Sequence, residues 1–279
     1  MTTDHGNFAC RGGGTFKNQR RRAAAIFITV VLTLIGAGCS DDHSVTPTPT
    51  PPADCTDYAD YIHVISNVAT PGIARRAASD GRYMYGAAGA AGVQVIDISD
   101  PAAPEIAATL ETPGLASAVE LADTLLFVAD GQAGLQIVSV QNPLRPRLLG
   151  GLGTAGEALG VGVRDTLAYV TDDVIGLRVI NVKNPAAPVF VGADNTPGDA
   201  RDVVLMGAYA YVSDAVLGLR VVPIAVPTTY DPVALLALPG EIHGIDGAGS
   251  MIYVGSGSAG LTVVDVTDPT APVIVGGYN

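Results

Sequence analysis

The chain has 279 residues, of which 15 are Lys or Arg and 27 are Asp or Glu, so its formal net charge is −12. So acidic a chain should repel nucleic acid and anionic lipid, which argues against a nucleic-acid-binding function. Charged residues make up 15% of the chain, tryptophan is absent, and there are 34 glycines and 19 prolines. This composition is typical of short strands joined by tight turns.

The first 38 residues have the features of a secretory signal. Arg20, Arg21 and Arg22 precede an apolar run over residues 23–37, and small residues follow it. A basic flank, a short apolar segment and a small-residue cleavage site are the marks of such a signal. The run is shorter than the roughly 20 apolar residues that a spanning helix needs. Residues 1–38 are therefore predicted to be a signal peptide.

The end of this signal resembles the lipobox of bacterial lipoproteins. Residues 35–39 read Ile-Gly-Ala-Gly-Cys, and in that family the cysteine is diacylated and becomes the new N-terminus. The resemblance implies that Cys39 is lipidated and anchors the chain in the bacterial cell envelope. Ser40 fits sorting to the outer membrane, with the periplasmic or surface face left open. Plain secretion and a retained signal anchor remain alternatives, because Gly36 stands where leucine is usual.

Residues 39–57 are predicted to form a tether. Threonine and proline alternate over residues 46–52, a pattern that favours an extended polyproline II spacer of about 3 Å per residue. Cys10 lies in the predicted signal and Cys39 is the predicted lipidation site, so Cys55 has no disulfide partner within the chain. Pairing of Cys55 between molecules is the alternative to an incidental thiol.

Residues 58–279 are predicted to form one repeat domain. A glycine, an aromatic residue and a proline each recur every 42 residues, at Gly92, Gly134, Gly176, Gly218 and Gly260, at Tyr85, Phe127, Tyr169, Tyr211 and Tyr253, and at Pro101, Pro143, Pro185, Pro227 and Pro269. This period with short β-type runs is typical of propeller blades, whereas helical repeats would place apolar residues at i, i+3, i+4 and i+7. The pattern predicts an all-β propeller of five four-stranded blades.

Each unit divides into four predicted strands, which in the third unit are Glu157–Arg164, Leu167–Thr171, Leu177–Val182 and Val189–Ala193. The first strand is rich in small residues, which suit a crowded axis, so it is predicted to be innermost and the proline-flanked fourth strand to lie at the rim. Five complete units from Gly72 favour a closed ring. A further fourth-type strand over 62–68 would add to the last blade or displace its outer strand. An open β-solenoid is the alternative.

Recurring aspartates and asparagines precede the turns, for example Asp130, Asp172 and Asn184. Their side chains are predicted to cap the turns, because the dense ligand spacing of a calcium loop is missing. The domain offers no histidine-rich metal site, and no metal or cofactor is predicted. The aromatic column is predicted to pack between neighbouring sheets, with a sugar-binding face as the alternative.

The repeat units resemble a known family. Residues 93–104, Val-Gln-Val-Ile-Asp-Ile-Ser-Asp-Pro-Ala-Ala-Pro, and residues 167–188 closely resemble the LVIVD repeat of bacterial and archaeal surface proteins, over about residues 62–279. The resemblance implies a β-propeller on a secreted or lipid-anchored protein, and no general catalytic residues come with it. Unit four departs from the pattern at Pro223 and over residues 228–232, so a differently shaped loop is predicted there.

Nine polar residues on the predicted innermost strands do not follow the repeat: Arg75, Arg76, Glu157, Asp199, Arg201, Asp202, Glu241, His243 and Asp246. Several share a register, which predicts that they gather at one mouth of the channel as a candidate binding site. The alternative is that they form ion pairs that close the axis.

These observations favour an envelope-anchored, non-catalytic scaffold that presents loops and a channel mouth to another protein, a glycan or a small ligand. The alternative function is a periplasmic or surface enzyme of hydrolase or lyase type with its site at the channel mouth. That reading requires the polar residues to meet in an open pocket, because neither a Gly-x-Ser-x-Gly elbow nor a phosphate-binding loop is present. A structural spacer is a third reading.

Overall fold

The computed structural model describes residues 64–195, 199–224 and 230–279, which belong to a compact unit that runs from Tyr61 to Asn279. The predicted signal peptide, the lipidation site Cys39, the tether over 39–57 and Cys55 lie outside the described residues. Within these ranges, no helix is long and apolar enough to cross a membrane.

The repeat domain forms five antiparallel sheets of four strands each, one sheet per repeat. Sheets 1 and 2 contain β1 Ala77–Ser79, β2 Tyr83–Ala87, β3 Val93–Asp97, β4 Glu105–Leu110, β5 Ala118–Ala122, β6 Leu125–Ala129, β7 Leu135–Ser139 and β8 Arg147–Leu152. Sheets 3 and 4 contain β9 Ala158–Arg164, β10 Leu167–Asp172, β11 Gly176–Asn181, β12 Val189–Asn195, β13 Ala200–Met206, β14 Tyr209–Asp214, β15 Gly218–Pro223 and β16 Ala234–Leu236. Sheet 5 contains β17 Gly244–Ala248, β18 Met251–Gly255, β19 Leu261–Asp265 and β20 Val273–Tyr278. The prediction of five four-stranded blades is confirmed.

The first strand of each sheet is innermost, as predicted. Strands β1, β5, β9, β13 and β17 contact one another in that order, and the fourth strands expose large side chains at the rim, such as Leu148 and Phe190. The innermost strands begin later than predicted, for example at Ala77 in sheet 1 and Gly244 in sheet 5, and bulges interrupt the pairing of β13 between Ala200 and Asp202 and of β9 opposite Thr171. The predicted strand residues that precede these starts, such as Glu157 and Asp199, therefore lie at the entrance to the blade rather than in the strand.

Apolar side chains join each sheet to the next. The aromatic residues Tyr85, Phe127, Tyr169 and Tyr211 are at most 2% exposed, and each belongs to the core of its sheet. Phe127 packs in one cluster with Val170 of sheet 3, for example, as part of a core that spans the two sheets. The prediction of packing between sheets is therefore confirmed for these four positions. The fifth member of the column differs, because Tyr253 is 38% exposed.

The turns confirm the chemistry predicted for them. Gly92 has φ of 69°, a backbone conformation that disfavours any side chain. A Cβ atom at this position would also collide with the Leu110 carbonyl oxygen. The Asp130 carboxylate accepts the Gly114 N–H at 2.8 Å, and Asp172 accepts the Gly156 N–H at the same distance. These aspartates tie the second strand of a blade to the segment that enters the same blade.

Two segments depart from the regular repeat. Residues 64–68, the described part of the predicted N-terminal strand, form no strand, and sheet 5 uses its own β20 as its outer strand. In sheet 4 the outer strand β16 has three residues, and Tyr230 is buried against Gly192 of sheet 3. The predicted departure of unit four is thus visible on both sides of residues 225–229, which lie outside the described ranges.

Candidate functional site

The charged residues at the axis are organised around one ion pair. Arg76, just before β1, pairs with Asp202 on β13 and so links sheet 1 to sheet 4. The Asp202 carboxylate is buried and also accepts the backbone N–H groups of Val203 at 2.8 Å and Ile245 at 3.1 Å. Burial raises the pKa of Asp202, and the Arg76 guanidinium opposes that rise. One carboxylate therefore connects sheets 1, 4 and 5.

A cavity of about 240 Å³ lies beside this ion pair. Arg76, Glu120, Arg164 and Asp246 line it together with glycine and aliphatic residues of sheets 3 and 4. Sequence reasoning selected Arg76 and Asp246 but missed Glu120 and Arg164. The available signal was that Glu120 is the one charged residue of β5, whose other members are alanine, valine and leucine.

Glu120→Gln should change how the stability of the protein depends on pH. Burial raises the pKa of Glu120, Arg76 lowers it, and Asp202 and Asp246 raise it. The folded state therefore holds this proton more tightly than the unfolded state, and wild-type stability falls as pH rises from the ordinary glutamate range through the raised pKa. Because glutamine has no proton to lose, the variant should gain stability relative to wild type between pH 4 and pH 7.

Urea unfolding of wild type, Glu120→Gln and the exposed control Glu111→Gln at pH 4 and pH 7 measures this effect. A difference between wild type and Glu120→Gln that is the same at both pH values would contradict it. The control separates the burial of Glu120 from the general loss of one negative charge.

A second group of candidates lies between sheets 4 and 5. Arg201 pairs with Asp199 at 2.5 Å and approaches Glu241 at 3.9 Å. The side chains of Arg201, Asp199 and Glu241 are 34%, 32% and 62% exposed, so this group lies at the protein surface. His243 is exposed beside Gly257. The structure therefore brings three of the nine candidates together at this entrance.

The remaining candidates lie elsewhere. Arg75 is exposed beside its axial neighbour Arg76. Glu157 lines a groove of about 500 Å³ with Pro113, Leu115 and other residues of sheet 2, and its backbone N–H is bound by the Asp173 carboxylate at 2.7 Å. Among the described residues, no group of three or more His, Cys, Asp and Glu side chains is placed to hold a metal ion.

Exposed aliphatic side chains lie on the same face of the blades as this groove. We call the loop face the surface formed by the five loops between second and third strands and by the adjoining starts of the first strands. On it Ile73, Leu115, Val174 and Val216 are between 48% and 76% exposed. Backbone bridges from Gly89 to Ala116 and from Gly131 to Ala158 connect these loops to the following blade. Sequence reasoning missed this set, although valines in polar turns were a signal.

Comparison with solved structures supports the fold. A functionally unknown protein from Desulfotomaculum acetoxidans DSM 771 is similar with a TM-score of 0.65 and 12% identity, over 76% of this chain and 72% of that one. The computationally designed Ika8 protein is similar with a TM-score of 0.58 and 10% identity, over 74% of this chain. The chain spans 61% of the length of that designed protein. No curated protein matches the sequence.

The sequence profile of the LVIVD repeat matches the chain five times, over residues 71–112, 113–154, 155–196, 197–230 and 240–279. The shortened fourth match ends at the loop where sheet 4 departs from the other sheets. The other four matches each cover all four strands of one sheet, and the fourth covers β13, β14 and β15. The chain therefore belongs to the LVIVD repeat family.

Proposed function

We propose that this protein is a non-catalytic binding scaffold whose loop face holds another protein. The observation that carries the proposal is the set of four exposed aliphatic residues on that face: Ile73, Leu115, Val174 and Val216. Each of four successive blades contributes one of these side chains to the loop face, and exposed apolar side chains are unfavourable in water unless a partner covers them.

The surroundings of these residues suit a protein partner. The groove beside Leu115 is concave and has a volume of about 500 Å³. The partly exposed group Asp199, Arg201 and Glu241 lies at the same entrance of the blades. An apolar centre with a polar rim is the usual anatomy of a protein interface. A glycan partner would instead favour exposed aromatic rings, and four of the five aromatic column residues are buried.

The placement of the charged residues favours this proposal over the enzyme alternative. A hydrolase or lyase site would need several of these groups free to act on one substrate. Here Arg76 is paired with Asp202 and Arg201 with Asp199, while Glu157 lies at a different groove. The axial cavity of about 240 Å³ is also smaller than the roughly 300–1,000 Å³ of common ligand pockets.

The proposal includes anchoring of the scaffold to the cell envelope through a lipid on Cys39. Its support is the lipobox-like sequence before Cys39 and the Thr/Pro-rich tether after it. Replacing Cys39 with Ser should move the protein from the membrane fraction to the soluble fraction and abolish labelling with a fatty-acid analogue. Unchanged fractionation and labelling would contradict lipidation at this residue.

Photo-crosslinking in the native host tests the binding role. A photoreactive residue in place of Val174 or Val216 should give one discrete adduct with another protein, because both positions are exposed on the loop face. The control is the same substitution at Leu148, which is 43% exposed at the rim of sheet 2. Equal adducts at all three positions, or no adduct from the loop face, would contradict the proposal.

A further inference from the structure

The groove on the loop face combines apolar side chains with a single charged one. Six of the described residues line it: Pro113, Gly114, Leu115, Gln132, Ala133 and Glu157. Leu115 is 48% exposed there, and Glu157 is the one lining residue that carries a charge. The carboxylate of Glu157 therefore sets the charge of the groove.

The backbone of Glu157, rather than its carboxylate, is held by the protein. The Asp173 carboxylate accepts the Glu157 N–H at 2.7 Å, and the Asp173 N–H donates to the Glu157 carbonyl oxygen at 3.2 Å. These contacts place a second carboxylate directly beside Glu157. The ion pairs within the described part of the chain include neither Glu157 nor Asp173. Both residues are partly exposed, so a partner at the groove can supply the counter-charge.

Further acidic side chains surround the groove. The carboxylates that are at least partly exposed on or beside the loop face belong to Glu111, Glu157, Asp173, Asp199 and Glu241. Glu111 precedes Pro113 by two residues and lies beside Gly92 of the first loop. The groove therefore lies in an acidic part of the loop face.

Basic side chains are scarce on the loop face. Arg76 and Arg201 are already held in ion pairs, and the exposed basic residues of this face are Arg75 and His243. The loops at the opposite end of the strands carry three exposed basic residues: Arg82, Arg145 and Lys183. Acidic residues occur at both ends of the strands, so the scarcity of basic side chains is what distinguishes the loop face.

We infer that the partner segment in this groove is basic: an apolar side chain of the segment packs beside Leu115, and a Lys or Arg next to it pairs with Glu157 and Asp173. This inference rests on the proposed binding role of the loop face. Opposite charges around an apolar contact speed the encounter and select the partner. An arginine suits the site, because its planar guanidinium donates several hydrogen bonds to carboxylate oxygens at once.

A segment of another charge fits the groove less well. An acidic segment would bring like charges together, which opposes binding. A wholly apolar segment would cover Glu157 without supplying a counter-charge, and a buried unpaired carboxylate is costly. Nucleic acid would be repelled by the same carboxylates. The chemistry that remains is a protein segment with Lys or Arg beside an apolar residue.

Photo-crosslinking from inside the groove tests this inference in the native host. A photoreactive residue in place of Gln132, which is exposed in the groove, should attach to a partner segment that mass spectrometry shows to carry net positive charge. Glu157→Lys in the same background should reduce the adduct yield roughly tenfold, because it opposes like charges. The matched control Glu105→Lys makes the same change of charge at an exposed position of β4 and should leave the yield unchanged. Equal thermal unfolding midpoints for both variants exclude loss of folding as the cause.

Ionic strength gives the second readout. Raising NaCl from about 0.05 M to about 0.5 M in permeabilised cells should weaken the wild-type adduct at Gln132, because salt screens exposed charges. An attached segment with net negative charge, a yield that responds neither to salt nor to Glu157→Lys, or an equal effect of Glu105→Lys would overturn the inference and leave the binding role of the loop face standing. Absence of adducts from Gln132, Val174 and Val216 together would contradict the binding role itself, and this inference with it.

Discussion

Removing Asp194 should lower the free energy of unfolding by about 3–5 kcal/mol. Arg220 of β15 donates from Nη2 to both carboxylate oxygens of Asp194 on β12, at 3.0 and 2.7 Å, and both side chains are at most 6% exposed. Asp194→Ala would leave the guanidinium buried between sheets 3 and 4 without its counter-charge, and that is the costly state. Urea unfolding at pH 7 measures the loss.

The double variant Asp194→Leu/Arg220→Met distinguishes the ion pair from the packing around it. Replacing both partners with apolar residues removes the stranded charge, so the double variant should be clearly more stable than Asp194→Ala. Glu105→Ala, at an exposed position, controls for the loss of an acidic residue. A double variant no more stable than the single one would show that Arg220 is not held by charge pairing.

Arg76→Met should cost about 3 kcal/mol of unfolding free energy at pH 7, at the lower end of the range for broken buried pairs because Arg76 is itself about one third exposed. The variant leaves Asp202 buried without its guanidinium. Since burial raises the pKa of Asp202 and Arg76 opposes the rise, removing Arg76 should raise this pKa further.

The loss in Arg76→Met should therefore depend on pH. An acid whose folded-state pKa is raised destabilises the fold increasingly as pH rises above its ordinary value. We expect a smaller loss at pH 4 than at pH 7, measured by urea unfolding at both values. A loss below about 1 kcal/mol at pH 7, or one that is equal at pH 4, would contradict a structural role for the axial ion pair.

The repeat made most of the fold predictable from the sequence. The recurring glycines predicted turns, because Gly92 and its counterparts all adopt positive φ. The small residues predicted the innermost strands. Both inferences depend on local sterics, and the same residue types recur in each repeat, so every repeat supports them separately. The later starts of the innermost strands and the bulges in β9 and β13 were not predictable, because they depend on how strands meet at the axis.

The candidate site was less predictable, because its central ion pair joins residues from different blades. Asp202 and Arg76 are 126 positions apart, and no local pattern shows which charged residues of different units meet. Glu120 was missed for the same reason. Tyr253 matches the aromatic column in sequence but is exposed, since burial depends on the neighbouring sheet rather than on the residue. Residues 64–68 match a fourth strand in sequence but form no strand in the structure.

The most direct test of the account compares two variants by the yield of the photo-crosslinked adduct at Val174. Leu115→Asp places a charge in the apolar part of the loop face, and Asp246→Asn changes a carboxylate that lines the axial cavity. A scaffold that binds through its loop face should lose the adduct in Leu115→Asp and keep it in Asp246→Asn. Loss of the adduct in Asp246→Asn, with Leu115→Asp unaffected, would contradict the account and place the function at the axis.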